Sequence, residues 1–167
     1  FKEMVSFLQA ELSIDPNRIY VTGISNGGTM TNHLGCIMSD TFAAIAPVAA
    51  GQANFNCQIE KPVSVVVLHG TSDNVIPYEG DGQRVPAVRD WVNAWASAND
   101  CQSPPNITAY HKDVEEQRWS DCIDKAEVVF YTINGGLHEW FGSAYGPPPW
   151  GDDFEPDIYA SDAIWDF

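Results

Sequence analysis

The apolar residues of this chain follow two alternating patterns, helical spacing and short continuous runs. Apolar residues three or four positions apart predict three amphipathic helices, with these faces: Phe1, Met4, Val5, Leu8 and Leu12; Met30, Leu34, Ile37 and Met38; Val88, Trp91, Val92 and Trp95. Runs of β-branched and apolar residues predict strands near 18–22, 42–49, 63–69 and 127–133. Because strands and helices alternate, we predict an α/β fold, a three-layer α/β/α sandwich around a mainly parallel sheet.

The run at 63–69 is almost continuously apolar, which is typical of a strand buried on both faces of a parallel sheet. We therefore expect it at the centre. A small hairpin is expected from residues 107–112 and 117–119, and a last helix begins near Ile158.

The strongest chemical signal lies where the first strand meets the second helix. The sequence Gly23-Ile24-Ser25-Asn26-Gly27 is a GxSxG motif at a strand-to-helix junction, which is the setting of a nucleophile elbow. We expect a backbone that leaves no room for a Cβ at Gly23 or Gly27 and that holds Ser25 exposed at the start of the helix. The alternative is that Ser25 is an ordinary helix N-cap.

Two later residues complete the pattern of a serine hydrolase triad. Asp73 lies in a turn-rich loop after the strand at 63–69, and His138 lies in a glycine-containing loop after the strand at 127–133. A serine hydroxyl needs a general base, and the base needs a group that fixes its tautomer. Nucleophile-elbow enzymes use the chain order serine, acid, histidine, so we predict Ser25 as nucleophile, Asp73 as acid and His138 as base.

The acid and the base each have competitors. Asp73 is explained without catalysis if it satisfies only the backbone N–H groups of its own turn, and Asp81 is the nearest alternative acid. His33 lies in the middle of a helix and is interpreted as structural, His69 ends a buried strand, and His111 falls inside the proposed disulfide loop, so none of them is the expected base.

Acyl transfer also needs N–H donors for the developing oxyanion. The backbone N–H of Asn26, directly after the nucleophile, is the expected first donor. The second donor normally precedes the serine, and only one helix and one strand lie before Ser25 here. We therefore expect the second donor, and further strands, in sequence upstream of Phe1. This chemistry requires no metal and no organic cofactor.

Charge narrows the choice of partner. The chain of 167 residues carries 8 basic and 23 acidic residues and a formal net charge of -15, which repels nucleic acid and anionic membrane surfaces. We expect neither as a partner, and nothing in the sequence indicates an oligomeric state. A candidate calcium cluster without a recognisable ligand loop consists of Asp152, Asp153, Glu155 and Asp157.

The four cysteines, Cys36, Cys57, Cys101 and Cys122, show no spacing typical of a zinc site. We expect disulfides and an extracellular protein, and the alternative is four reduced, buried thiols in a cytosolic enzyme. Cys101 and Cys122 bracket a polar segment that a disulfide would stabilise by about 3 kcal/mol. Cys36 and Cys57 remain as the residual pair.

Three segments taken together carry a family resemblance: GISNGG at 23–28, LHGTSDNVIPYEG at 68–80 and NGGLHEWFG at 134–142. The chain resembles the secreted α/β-hydrolase esterases of the polyhydroxybutyrate depolymerase and feruloyl esterase group. This resemblance implies an α/β-hydrolase fold without its amino-terminal strands, so that 1–167 is a single incomplete domain. It also implies the triad roles, Trp140 near the substrate and a Cys101–Cys122 disulfide. One departure is Phe141 after Trp140, where the family often has proline.

The resemblance implies a secreted serine esterase that hydrolyses polyhydroxyalkanoate-type polyesters, or feruloyl or acetyl esters of polysaccharides, through an acyl-enzyme. We expect the whole protein to be active and this piece to be inactive. Two alternatives stay open. One is a serine peptidase of the prolyl oligopeptidase type, and the other is a noncatalytic carbohydrate-binding module with Trp140, Tyr145 and Trp150 as a stacking surface.

Overall fold

Helices and strands follow one another along the chain in the predicted order. A computed structural model describes residues 1–52, 57–143 and 158–167. The elements in chain order are α1 (Lys2–Glu11), β1 (Tyr20–Ile24), α2 (Asn26–Ile37), β2 (Ala44–Val48), β3 (Ser64–Gly70), α3 (Val88–Ala98), β4 (Asn106–His111), β5 (Val114–Trp119), β6 (Val128–Ile133) and α4 (Ala160–Trp165). The predicted elements are confirmed, with boundaries shifted by one to three residues.

The strands form one mixed sheet in the order β1-β2-β3-β6-β5-β4. The pairs β1–β2, β2–β3 and β3–β6 are parallel, whereas β5 is antiparallel to both β6 and β4. Every residue of β3 except Ser64 is buried, which confirms its predicted central position. The predicted hairpin, β4 and β5, also forms, and it extends the main sheet beyond β6.

Helices cover the sheet on both faces. On one face, Trp91 and Trp95 of α3 and Leu34 of α2 pack with Val65 and Phe130 of the sheet. On the other face, the core contains a second set of residues: Val66, Leu68, Val129, Phe141, Ala160 and Ala163. Successive residues of a strand point to opposite faces, so β3 contributes to both cores and the predicted three layers are confirmed.

The first two helices bury less of their apolar faces than their patterns suggest. No residue of α1 is buried, and Phe7 is 64% exposed. In α2, Leu34 is buried as expected, but Ile37 is 60% exposed. Strand β1 pairs only with β2 in the part of the chain that the structure describes. Apolar side chains of α1 therefore remain exposed, and β1 has a single paired edge among the described residues.

All four cysteines are paired. Cys36, near the end of α2, bonds to Cys57, and Cys101, after α3, bonds to Cys122, after β5. The alternative of four reduced thiols is therefore wrong for this structure. None of the helices within the described residues is long and apolar enough to span a membrane.

Candidate active site

Ser25 lies in a strained turn between β1 and α2. Its backbone has φ 57° and ψ -120°, a positive φ that non-glycine residues rarely adopt. Such a conformation costs about 1–3 kcal/mol and is concentrated at functional sites. Ser25 occupies the N-cap position of α2, but its side chain makes no capping hydrogen bond. An ordinary N-cap role therefore does not explain this serine.

One glycine of the motif is required for the expected reason and another is not. A Cβ on Gly23 would lie 2.6 Å from the backbone carbon of Gly27, so the tight turn excludes any side chain there. A Cβ on Gly27 would meet nothing within 4 Å, and our prediction of crowding at Gly27 is wrong. The crowded neighbour is Gly28, whose added Cβ would lie 2.7 Å from the Cβ of Ala50. The backbone of Gly27 thus lies against the Cβ position of Gly23, whereas the Cβ position of Gly27 itself is open.

Asp73 is buried and uses its two carboxylate oxygens differently. Oδ1 accepts backbone hydrogen bonds from Val75 and Ile76, each 2.8 Å long. Oδ2 lies 2.8 Å from Nδ1 of His138, and the Asp73 side chain has no exposed surface. The local-turn alternative is thus correct for one oxygen, while the other oxygen is directed at the predicted base.

His138 is oriented by this contact. A carboxylate only accepts hydrogen bonds, so Nδ1 carries the proton and donates it to Asp73. The proton on Nδ1 leaves Nε2 as the unprotonated, basic nitrogen of the neutral ring. The His138 side chain is 18% exposed, which leaves it open to a substrate or to a serine hydroxyl.

The loops that carry the acid and the base are joined by their backbones. Ser72 N donates to Gly136 O, and Gly135 N donates to Thr71 Oγ1, and each of these hydrogen bonds is 2.9 Å long. A Cβ added to Gly70 would collide with the carbonyl of Gly136. This close approach brings the loop after β6 back over the end of β3.

The structure brings Asp73 and His138 together, and it places Ser25 at the same end of the sheet, where the parallel strands have their carboxyl ends. No hydrogen bond links Ser25 Oγ to His138 among the described residues. Strand β2 separates β1 from β3, and two strand spacings amount to about 10 Å. Catalytic hydrogen bonds are often long in ligand-free enzymes, so this arrangement is compatible with a triad. The three catalytic roles stay predictions.

Asn26 is the first residue of α2, and the first N–H groups of a helix have no acceptor within it. The role of this backbone N–H as a donor to a developing oxyanion stays a prediction. Trp140 follows His138 and donates from Nε1 to Ser161 Oγ of α4 over 3.1 Å. That bond ties the base loop to α4, and the substrate role of Trp140 stays a prediction.

Asp81 is not placed as an acid. Its carboxylate accepts backbone hydrogen bonds from Gln83, Arg84 and Val85, and these bonds lower its pKa. The residue is exposed and caps its own turn. Within the described ranges no group of three His, Cys, Asp or Glu residues is arranged to hold a metal ion. The candidate calcium cluster, and the stacking residues Tyr145 and Trp150, lie outside those ranges.

Sequence reasoning missed one residue that contacts this site. His69, at the end of β3, lies with Nε2 2.9 Å from Ile76 O and 3.4 Å from Asp73 Oδ2. Burial lowers its pKa. The sequence pattern predicts only that His69 ends a buried strand, and its one signal of a role at this site is its position four residues before the predicted acid.

Comparisons with known proteins find a match to one family and several similar proteins that are named as esterases or depolymerases. The prolyl oligopeptidase family matches residues 1–55, which include the elbow. Feruloyl esterase B of Piromyces equi is 30% identical over 150 residues, covering 82% of this chain and 28% of that protein. Poly(3-hydroxyalkanoate) depolymerase C of Paucimonas lemoignei is 29% identical over 154 residues, covering 88% of this chain and 36% of that protein.

The solved structure of an acetyl xylan esterase from Aspergillus awamori aligns with a TM-score of 0.60 at 16% identity, covering 81% of this chain and 59% of the other. This likeness concerns the fold, and the chain has the α/β-hydrolase fold. The resemblance to the polyhydroxybutyrate depolymerase and feruloyl esterase group is confirmed. The chain spans about a third of the length of these two curated relatives.

Proposed function

We propose that the protein containing this chain is a secreted serine hydrolase of carboxylic esters. The observation that carries the proposal is the buried Asp73–His138 hydrogen bond on the sheet edge where Ser25 is held at a positive φ. A strained serine, a neutral histidine with a basic nitrogen and a buried carboxylate are the parts that acyl transfer requires.

In the proposed reaction His138 Nε2 accepts the proton of Ser25 Oγ, and Oγ attacks the ester carbonyl carbon. The N–H of Asn26 donates to the resulting oxyanion. The tetrahedral intermediate collapses, the alcohol leaves with the proton from His138, and the acyl group stays on Ser25. Water then loses a proton to His138 and attacks the acyl carbon, and as the C–Oγ bond breaks His138 returns the proton to Ser25 Oγ, which releases the carboxylic acid and free Ser25.

Feruloyl, acetyl or hydroxyalkanoate esters are the proposed substrates, because relatives of this chain are named for such esters. A polymeric substrate suits an extracellular enzyme, and two disulfides favour an oxidising location. Trp140, in the loop of the base, is the proposed substrate contact.

The single domain is proposed to be incomplete in these residues. Among the described residues β1 pairs only with β2, and no residue of α1 is buried. Upstream strands would cover both and would supply the second oxyanion donor. The isolated chain is therefore expected to be inactive. Hydrolysis of p-nitrophenyl acetate by the isolated chain, lost in Ser25→Ala, would contradict this part of the proposal.

The test of the main proposal uses the full-length protein and a fluorophosphonate probe, which forms a covalent bond with an activated serine. We expect Ser25 to be labelled and the Ser25→Ala variant to be unlabelled, with esterase activity lost in parallel. Ser97→Ala, a change on the exposed side of α3, is the matched control and should keep both. A folded wild-type protein without labelling would refute the proposal.

A serine peptidase is the second candidate, and the match of residues 1–55 to the prolyl oligopeptidase family favours it. Both enzymes would use the same three residues, so labelling does not separate them. Turnover of a feruloyl or acetyl ester, compared with turnover of a proline-containing peptide by the same preparation, does. Faster peptide turnover would favour the second candidate.

A further inference from the structure

His69 is a buried histidine that lies directly behind the proposed catalytic acid. It is the penultimate residue of β3, and its side chain has no exposed surface. Nε2 faces two oxygens, Ile76 O at 2.9 Å and Asp73 Oδ2 at 3.4 Å. Nδ1 is also buried and has no hydrogen-bond partner among the described residues.

These surroundings determine where the ring proton lies. A carbonyl and a carboxylate are both acceptors, so Nε2 must carry the hydrogen that faces them. Nδ1 is then the nitrogen without a proton, and an unpaired acceptor at this position leaves no buried N–H without a partner. A second proton would place a buried positive charge in a site without solvent, and that burial lowers the pKa of His69. The ring is therefore a neutral donor.

The hydrogen bonds around Ile76 connect this donor to the acid. Ile76 N donates to Asp73 Oδ1, and Ile76 O accepts from His69 Nε2. The same Nε2–H lies near Asp73 Oδ2, the oxygen that orients His138. His69 thus closes the 73–76 turn onto the end of β3 and limits how far the carboxylate can rotate.

We propose that His69 is a positioning residue that holds the Asp73 carboxylate toward His138 through a neutral Nε2–H, an inference that rests on the proposed ester hydrolysis. The alternative is that the ring only fills space. Tyr78 lies beside it, with the ring centroids 6.2 Å apart and tilted by 55°. A space-filling role requires volume at this position and does not require a hydrogen-bond donor.

Two substitutions separate these roles in the full-length protein. His69→Gln keeps an amide N–H near the place of Nε2, whereas His69→Leu keeps volume and removes the donor. A displacement of about 1 Å at a catalytic group can cost about a hundredfold in rate. We expect kcat to fall about 10- to 100-fold in His69→Leu with KM within about twofold, and to recover to within about threefold of wild type in His69→Gln.

The rates are expressed per active site titrated with the fluorophosphonate probe, so unfolded protein does not enter the comparison. The matched controls are His33→Gln and His33→Leu, at an exposed position on α2, and both should keep wild-type kcat. A kcat within twofold of wild type in His69→Leu, or an equal loss in both His69 variants, would overturn the proposal.

Nitrogen-15 NMR of the histidine rings gives a readout that does not depend on activity. We expect His69 to be neutral with its proton on Nε2 at pH 7. The His138 Nδ1–H signal should be visible in wild type and His69→Gln and broadened by exchange in His69→Leu. A His69 proton on Nδ1, or an unchanged His138 signal in His69→Leu, refutes the positioning role. A wild-type protein without esterase activity refutes the proposed function instead.

Discussion

The two ends of the candidate site differ in how completely this chain builds them. Asp73 and His138 follow β3 and β6, whose residues are almost all buried, and their loops are joined by backbone hydrogen bonds. Ser25 follows β1, which pairs with one strand among the described residues, and the preceding α1 has no buried residue. The loops of the acid and the base are thus joined to each other, whereas Ser25 is held by a strained turn and by the hydrogen bond from its backbone N–H to Val48 O of β2.

The largest expected effect tests the enclosed side, by which we mean β3, β6 and the loops that carry Asp73 and His138. Asp73→Asn in the full-length protein should lower kcat for ester hydrolysis by about 10⁴, because the amide no longer fixes the tautomer of His138. Asp81→Asn is the matched control, because Asp81 is exposed and caps only its own turn. The measurement is kcat at pH 7.5. Equal losses in the two variants would mean that Asp73 has no role beyond its turn.

The two disulfides allow the stability of two parts of the chain to be compared. Cys36–Cys57 cross-links the end of α2, and Cys101–Cys122 cross-links the segments after α3 and β5. Each closes a loop with a sequence separation of 21 residues, so loop-closure entropy predicts about 3 kcal/mol for each. We expect the double variants Cys36→Ser/Cys57→Ser and Cys101→Ser/Cys122→Ser to lower the free energy of unfolding by similar amounts in urea denaturation.

Unequal losses in these two variants would sharpen the contrast. A loss below about 1 kcal/mol for Cys36 and Cys57 alone would mean that the α2 side gains little from its cross-link. Similar losses on both sides would confine the difference to the active-site loops.

The pH dependence of stability isolates His69. Burial holds its folded-state pKa below the ordinary value of 6.5, so below about pH 6.5 the unfolded chain binds a proton that the folded chain does not. The free energy of unfolding should therefore decline as pH falls, by at most about 1.4 kcal/mol per pH unit from this group. Urea denaturation between pH 7.5 and 5.5 should show a smaller decline in His69→Gln. His33→Gln should retain the wild-type slope, and identical slopes in all three proteins would contradict the buried neutral ring.

The smallest expected effect concerns the open side, by which we mean α1 and β1. In the isolated chain, Phe7→Ser should change the free energy of unfolding by less than about 0.5 kcal/mol, because Phe7 is largely exposed. Leu68→Ala in β3 is the contrasting variant and should cost about 2–5 kcal/mol. In the full-length protein, Phe7→Ser should cost more than in the isolated chain. Equal costs in the two proteins would mean that nothing covers α1.

The sequence predicted the enclosed side well and the open side only in part. The apolar run of β3 has few alternatives to a central strand, and Trp91 and Trp95 of α3 are buried as their spacing indicated. The apolar face of α1 predicted its helix correctly, but a pattern within one helix contains no information about the surface that covers it.

The site shows the same limit. GxSxG and the chain order identified Ser25, Asp73 and His138 as candidates, because both can be recognised without knowing which residues are in contact. The contacts of His69, and the crowding at Gly28 instead of Gly27, depend on which backbone lies opposite in the folded chain. Gly28 meets Ala50, which is distant in sequence, whereas His69 meets Asp73 and Ile76 of the next turn, and no hydrophobic pattern specifies how that turn closes.

The close backbone contact between Gly70 and Gly136 holds the loop of the acid against the loop of the base. Because an added Cβ at Gly70 would collide with the carbonyl of Gly136, even a single methyl group would act there as a wedge between the two loops. Neither proposed catalytic side chain would be altered, yet the distance between them would increase. The pair could thus be disconnected by steric volume alone, at a position that performs no chemistry.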